Sequence, residues 1–197
     1  MITVKKAQLY KTVFKPEDLP DTPYNEVAFV GRSNVGKSSL LNTIVKNYRL
    51  AKVSSSPGKT RSVNFYFVND RFFVVDLPGY GFARLSKAEQ RRWKELIESY
   101  LTGRDKLKGV FLLVDSKVGP TDKDIMMKEW LEYYGIPFCV VATKVDRLKK
   151  QSERATLKRR IRQKLGIDDS VNVIPFSART REGRVEILKQ IEQFLEQ

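Results

Sequence analysis

The sequence predicts an α/β fold: a six-stranded mixed sheet with one antiparallel edge strand and helices on its faces. Three observations carry this expectation. Five short apolar runs (26–30, 72–76, 110–115, 137–143 and 171–176) are rich in Val and Phe, and most lack alternation, as strands buried on both faces do. Helical patterns separate most of them. A sixth run, Val63–Val68, is linked to Phe72 only by Asn69-Asp70-Arg71. So short a link cannot be a crossover, so these two strands form an antiparallel hairpin.

Taken in order, residues 1–25 contain Pro16, Pro20 and Pro23 and read as an extension with little regular helix. Residues 26–197 form a single domain, with no repeat or low-complexity segment to divide it. A helix over 38–45 follows the first run. Ser86-Lys87-Ala88-Glu89 is a capping box, followed by Trp93, Leu96, Ile97, Tyr100 and Leu101 at helical spacing. Thr121 opens the next helix, which Gly135 and Pro137 stop. Leu157, Ile161 and Leu165 line another that ends at Gly166, and Ile187, Leu188, Ile191, Phe194 and Leu195 line the last.

Composition excludes several chemistries. The 197 residues hold one cysteine, no histidine and a net charge of +14. A Ser-His-Asp triad and a histidine zinc site are therefore impossible. Cys139 cannot pair within the chain and reads as a small buried hydrophobe. No apolar run approaches the roughly 18 residues of a membrane span. The opening MITVKKAQLYKTVF has no signal-peptide core. A soluble, cytoplasmic protein without a membrane partner is expected.

Gly31-Arg32-Ser33-Asn34-Val35-Gly36-Lys37-Ser38 fits G-x-x-x-x-G-K-[ST] between a strand and a helix, the context that motif requires. Backbone N–H groups of such a loop converge on an anion, and the helix N-terminus adds partial positive charge. Lys37 would reach the β and γ phosphates, and the Ser38 hydroxyl would ligate Mg²⁺. Asp76-Leu77-Pro78-Gly79 ends a buried strand facing the same crevice. There Asp76 would hold Mg²⁺ through water, and the Gly79 N–H would read the γ-phosphate.

Thr143-Lys144-Val145-Asp146 ends another strand. A carboxylate at Asp146 can accept from guanine N1–H and N2–H₂, a pair that adenine does not offer, so GTP and GDP are the expected ligands. The Lys144 stem can lie over the base plane, and Ser177-Ala178 can offer a backbone N–H to guanine O6. A small-molecule phosphotransferase using the same phosphate loop would need an acceptor site and a lid, and no segment supplies them.

These motifs, with Pro57-Gly58-Lys59-Thr60-Arg61-Ser62-Val63-Asn64-Phe65-Tyr66 and Asp76-Leu77-Pro78-Gly79-Tyr80-Gly81-Phe82-Ala83, carry a resemblance. The chain resembles the EngB (YihA/YsxC) family of bacterial GTPases, translation-factor-class enzymes of the Ras-like P-loop fold. The resemblance implies a GTP-binding domain over 26–197 and a weak intrinsic GTPase. It implies a role in assembly of the large ribosomal subunit, linked to normal division and septation. It also implies that Thr60 joins the Mg²⁺ shell, and that nucleotide contacts extend to Gly58, Lys59, Arg61, Ser62, Leu77, Pro78 and Phe176. Two departures from the commonest GTPase pattern stand out. Thr143 replaces an asparagine, which this family usually does. Tyr80 stands where Ras-type enzymes place a water-orienting glutamine. Asn34 matches a position that coordinates K⁺ in related GTPases; here it either does so or only braces the loop. Lys37, Asn34 and Thr60 are the catalytic candidates.

Between Arg147 and Lys164 stand nine basic residues (Arg147, Lys149, Lys150, Arg154, Lys158, Arg159, Arg160, Arg162 and Lys164) and one acid, Glu153. A solvated helix face normally mixes signs. One-signed charge at this density suggests a polyanion, so ribosomal RNA or a large-subunit particle is the expected partner. Lys5, Lys6, Lys11 and Lys15 extend the basic set. A GTP-regulated protein-binding module for division proteins, without RNA contact, is the alternative. A monomer is expected.

Overall fold

The computed structural model describes residues 2–45, 62–81 and 86–197. Seven strands form one sheet: β1 (Ala7–Val13), β2 (Glu26–Gly31), β3 (Val63–Val68), β4 (Phe72–Asp76), β5 (Leu107–Asp115), β6 (Phe138–Thr143) and β7 (Val173–Pro175). Their order is β1-β3-β4-β2-β5-β6-β7. The five strands from β4 to β7 in that order are mutually parallel. β3 runs antiparallel to β4 through the expected hairpin.

The expected six strands are thus seven, and β3 is not the edge. The outermost strand is β1, antiparallel to β3 and drawn from the segment read as an extension. Its sequence, AQLYKTV, buries only its last residue. An edge strand with one covered flank needs no apolar run, so the signal that marked the other six is missing. The rest of the extension holds one 3₁₀ turn, Pro16–Asp18.

Among the described residues five helices cover the sheet: α1 (Lys37–Val45), α2 (Lys87–Thr102), α3 (Asp122–Tyr133), α4 (Gln151–Leu165) and α5 (Arg184–Leu195). α1 and α5 pack on one face, around Phe29, Phe111, Leu40 and Ile191. α2 and α3 cover the other with Phe65, Phe73, Tyr100 and Leu131. α4 seals the β6–β7 end through Leu157, Ile161 and Leu165. Cys139 is buried. The Ser86 box closes as expected: Glu89 N–H donates to Ser86 Oγ at 3.2 Å and Ser86 N–H to Glu89 Oε2 at 2.9 Å.

At the amino end of β2, Glu26 is fully buried. Arg104 grips its two oxygens, Nε at 2.8 Å from Oε2 and Nη2 on Oε1, while Tyr100 O–H donates to Oε2 at 3.0 Å. Arg104 also donates to the Pro20 carbonyl, tying the extension to the core. A buried carboxylate persists only when paired in this way.

Register positions the opposite end. Phe29 lies beside Asp76, Gly31 beside Leu113, and Asp115 beside Thr143. The carboxyl ends of β2, β4, β5 and β6 therefore open onto one crevice, where ligands of open parallel sheets bind. No helix among the described residues is long and apolar enough to cross a membrane.

Candidate functional site

The loop from Gly31 to Ser38 joins β2 to α1. Its backbone turns through positive φ at Asn34 (62°) and Gly36 (106°); the second value is strained for any residue with a Cβ. The first turn of α1 leaves N–H groups without intrahelical acceptors, so the loop mouth is a donor surface. Lys37 lies in this turn with its ammonium on the Asp76 carboxylate, both side chains buried. Asp76, at the end of β4, is thus brought to the phosphate loop as the sequence predicts.

Leu77 and Pro78 are buried behind Asp76, and Gly79 presses on the loop. A Cβ at Gly79 would lie 3.2 Å from the Ser33 nitrogen and 3.4 Å from the Gly31 oxygen. The next residue stitches the contact. Ser33 N–H donates to the Tyr80 carbonyl at 3.0 Å, and Tyr80 N–H to the Gly31 carbonyl at 3.3 Å. The Tyr80 ring turns into the core, edge-on to Trp93, and its hydroxyl donates to Asp124 Oδ1 at 2.6 Å. Burial, reinforced by the Asp124 charge, holds the phenol well above its ordinary pKa. A buried, neutral ring hydrogen-bonded to Asp124 is not placed to orient an attacking water. A cavity of about 360 Å³ opens beside the loop, with Arg32, Ser33, Tyr80 and Lys123 among its lining residues.

The segment Thr143–Asp146 is tied to the phosphate loop by two bonds. Thr143 Oγ1 donates to the Val35 carbonyl at 2.6 Å, with the Val114 carbonyl 3.1 Å away. The Thr143 hydroxyl thus fastens this strand end to the loop. Lys144, with φ of 59°, sends its ammonium to the Asn34 carbonyl at 2.7 Å and to Asp115 Oδ2 at 2.9 Å. Asp115 went unnoticed in the sequence, although it ends an apolar run just as Asp76 does. Burial opposes its ionisation, but the Lys144 hydrogen bond and the Val118 and Lys117 N–H groups hold its carboxyl below the usual carboxylate range.

Asp146 is exposed at the crevice rim, and Val145 is buried beneath it. Ser177 Oγ donates to Asp146 Oδ1 at 2.7 Å, fixing the carboxylate. The two base-side loops are joined where Val145 N–H donates to the Phe176 carbonyl. The Ser177 N–H is occupied by the Glu182 carbonyl at 3.1 Å, which leaves the Ala178 N–H as the donor available to a base carbonyl. The Asn34 side chain is exposed and makes no hydrogen bond among the described residues; only its backbone carbonyl braces the loop. Ser62 is buried. Gly58, Lys59, Thr60 and Arg61 lie outside the described residues.

The donor set fits a hard cation on a polyphosphate. Ser38 and Asp76 offer oxygen ligands, as Mg²⁺ prefers, beside a lysine and a helix N-terminus that suit phosphate. Among the described residues there is no His/Cys/Asp/Glu cluster that would hold a metal by itself.

The predicted basic residues share α4 and the turn before it, but not all are free. Arg154 pairs with Glu182 at 2.5 Å, and Arg162 with Asp169 at 3.2 Å. Arg160 donates to the Ser116 carbonyl. Lys149, Lys150, Lys158, Arg159 and Lys164 are exposed and have no ion pair among the described residues.

Comparison with known proteins agrees with this geometry. Residues 26–144 match the 50S ribosome-binding GTPase family, and residues 94–197 match the elongation factor Tu GTP-binding domain. The chain is 52% identical to a probable GTP-binding protein EngB of Kosmotoga olearia over 189 residues, covering 94% of this chain and 97% of that protein. It is 50% identical to the corresponding protein of Petrotoga mobilis, covering 98% and 97% of the two chains. The crystal structure of a probable GTP-binding protein engB superposes with a TM-score of 0.71 at 26% identity, covering 87% of this chain and 98% of that one.

Proposed function

Since the chain belongs to the EngB family of GTP-binding proteins and is a GTPase, we propose that it works as a slow, Mg²⁺-dependent GTP switch in large ribosomal subunit assembly. It would do so as a cytoplasmic monomer, with its link to division and septation following from that role. The observation that carries the RNA part is the set of unpaired cations on α4 (Lys158, Arg159 and Lys164) and just before it (Lys149 and Lys150). Five exposed cations without acidic partners among the described residues gain little from the protein itself and much from neutralising phosphates. The matched family's description as ribosome-binding points the same way.

In the cycle, Lys37 exchanges Asp76 for the β and γ phosphate oxygens. Ser38, Asp76 through water and Thr60 would hold Mg²⁺, which would supply charge neutralisation to the polyphosphate. Gly31, Arg32, Ser33, Val35 and Gly36 shape the loop around the polyphosphate; with the Ser33 N–H held by Tyr80 and the Val35 N–H by Arg32, the donors fall to the N–H groups of residues 36–38 at the start of α1. Asp146 accepts from the guanine edge while Lys144 covers its face, and Ala178 N–H meets O6. Gly79 N–H reads the γ-phosphate. Because Gly79 and Tyr80 already press on the phosphate loop, a group bound there is felt at Gly79 and Tyr80, the kind of change that switches GTPases. With Tyr80 turned inward, hydrolysis is slow. The free Asn34 side chain favours a K⁺ ion beside the phosphates over a brace.

The test is salt-dependent co-sedimentation with large-subunit particles, with GTP, GDP or a non-hydrolysable analogue. Replacing Lys149, Lys158, Arg159 and Lys164 by glutamine keeps the helix and leaves the nucleotide site untouched. The slope of log affinity against log salt is expected to flatten by roughly 3, at about 0.7–0.9 per phosphate contact. Unchanged particle binding in the quadruple variant shifts the weight to a GTP-regulated protein partner.

A further inference from the structure

The far edge of the sheet carries a second cationic surface, of different chemistry. The pairing of β1 with β3 slips between Leu9 and Lys11, so two consecutive residues share a face. Lys11 lies opposite Phe65, and the Tyr10 ring sits 5.2 Å from that of Phe73. Both phenylalanines belong to the core beneath α2. Tyr24 joins the group, its ring 4.7 Å from Phe67. The rings are supported from below but uncovered above: Tyr10 is 53% exposed, Tyr24 38%, and Phe14, next to the strand, 63%. Residues 2–15 carry four lysines and no acid. Lys6 and Lys15 have exposed partners, Asp70 and Glu17. Lys5 and Lys11 have none among the described residues.

We propose that this face of β1 binds single-stranded RNA, its bases stacking on Tyr10 and Tyr24 and its phosphates lying against Lys5 and Lys11. The proposal rests on the RNA-directed reading above and adds a second contact to it. Exposed aromatic rings on a sheet, interleaved with lysines, are what single strands need, since every base has a π-face and every link a phosphate. A duplex hides its base faces and cannot use them. A second copy of this chain is disfavoured at the same edge, because the bulge and the lysines are devices that block strand-to-strand pairing. β1 and the α4 face lie at opposite edges of the sheet. Six strand spacings of about 4.8 Å put roughly 29 Å between them, so one molecule can hold two separate RNA elements with the nucleotide crevice between.

The test is fluorescence anisotropy of the full chain with a labelled single-stranded RNA of about 12 nucleotides. The variants are Tyr10→Phe, the double Tyr10→Ala/Tyr24→Ala, and the double Lys5→Gln/Lys11→Gln. GTP binding and thermal melting confirm that each variant is folded. The double alanine variant is expected to bind at least tenfold more weakly, given roughly fivefold to 150-fold per stacked base, whereas Tyr10→Phe, which keeps its ring, stays near the parent. The lysine variant should flatten the salt slope by roughly 1.4. Equal affinity for parent and double alanine variant overturns the proposal. So does equal use of a blunt duplex, or a parent dimer that the alanine variant dissolves. A parent that binds this oligonucleotide through Tyr10 but no large-subunit particle leaves the RNA face standing and removes the ribosomal assignment.

Discussion

Lys37 and Asp76 form a buried ion pair across the mouth of the nucleotide crevice, each neutralising the other where polyphosphate and metal would bind. Removing one partner of such a pair strands the other charge, at a cost of about 3–5 kcal/mol. Asp76→Asn is therefore expected to destabilise the nucleotide-free protein by that amount in denaturant titrations. GTP should restore part of the loss, because its phosphates give Lys37 a new partner. An unfolding midpoint equal to the parent's would contradict the pairing.

In the proposed function guanine is read by the Asp146 carboxylate, which accepts a hydrogen bond from Ser177. Asp146→Asn should weaken GTP binding by about 2–4 kcal/mol, since charged hydrogen bonds are lost. Ser177→Ala should cost about 1 kcal/mol, because the carboxylate survives but swings. Titration with a fluorescent guanine nucleotide checks both, and the order of the two effects is the point at risk.

Tyr80 turns its hydroxyl to Asp124 and away from the crevice. Tyr80→Phe is expected to leave single-turnover GTP hydrolysis within about twofold of the parent, since no group near the phosphates changes. Potassium should speed turnover over sodium if Asn34 holds the ion. Equal rates in both salts would return Asn34 to a structural role, and a large loss in Tyr80→Phe would give the phenol a chemical one.

The Asp115 carboxyl sits below the usual carboxylate range. Between its folded and unfolded pKa values the native state binds fewer protons, so this group's stabilisation is full above about pH 4 and fades as pH falls through the folded value. Asp115→Asn should flatten the acid limb of a stability-against-pH curve and leave the alkaline limb unchanged. An acid limb identical to the parent's would mean that the Lys144 contact contributes nothing.

Arg104→Met keeps much of the aliphatic stem but removes the guanidinium that lies over the Phe65 and Tyr100 rings and leaves Glu26 buried without its cation. A loss of about 3–5 kcal/mol is expected, with GTP affinity intact because the pair lies at the far end of β2. Chemical denaturation and nucleotide titration on the same sample separate the two effects.

The phosphate and base motifs were legible because each is a fixed spacing at a strand end. The strands carrying them were legible because burial on both faces needs unbroken apolar runs. What escaped obeys other rules. β1 is half polar, since only one of its flanks meets the core, so periodicity could not separate it from a coil. Asp115 has no motif around it and acquires meaning only when β6 places Lys144 alongside. The division of α4 into paired and unpaired cations depends on Glu182 and Asp169, which lie beyond the helix in sequence. Tyr80 could be read as a missing glutamine, but its inward turn toward Asp124 required the position of α3.

The register of β2 also sets an order of events during synthesis. Gly31 is fastened to Leu113 on one side, and Phe29 to Asp76 on the other. The first of those partners leaves the ribosome roughly eighty residues after the loop it anchors, and closing so long a segment carries an entropic cost that local helices do not. Until β5 has emerged, Gly31–Ser38 follows a strand paired only with β4, without a complete crevice. The nascent protein therefore cannot complete its guanine site until Asp146 and Ala178 have followed β5 out. Guanine nucleotide added to a stalled-chain series should protect against protease only in chains long enough to expose residues 107–178.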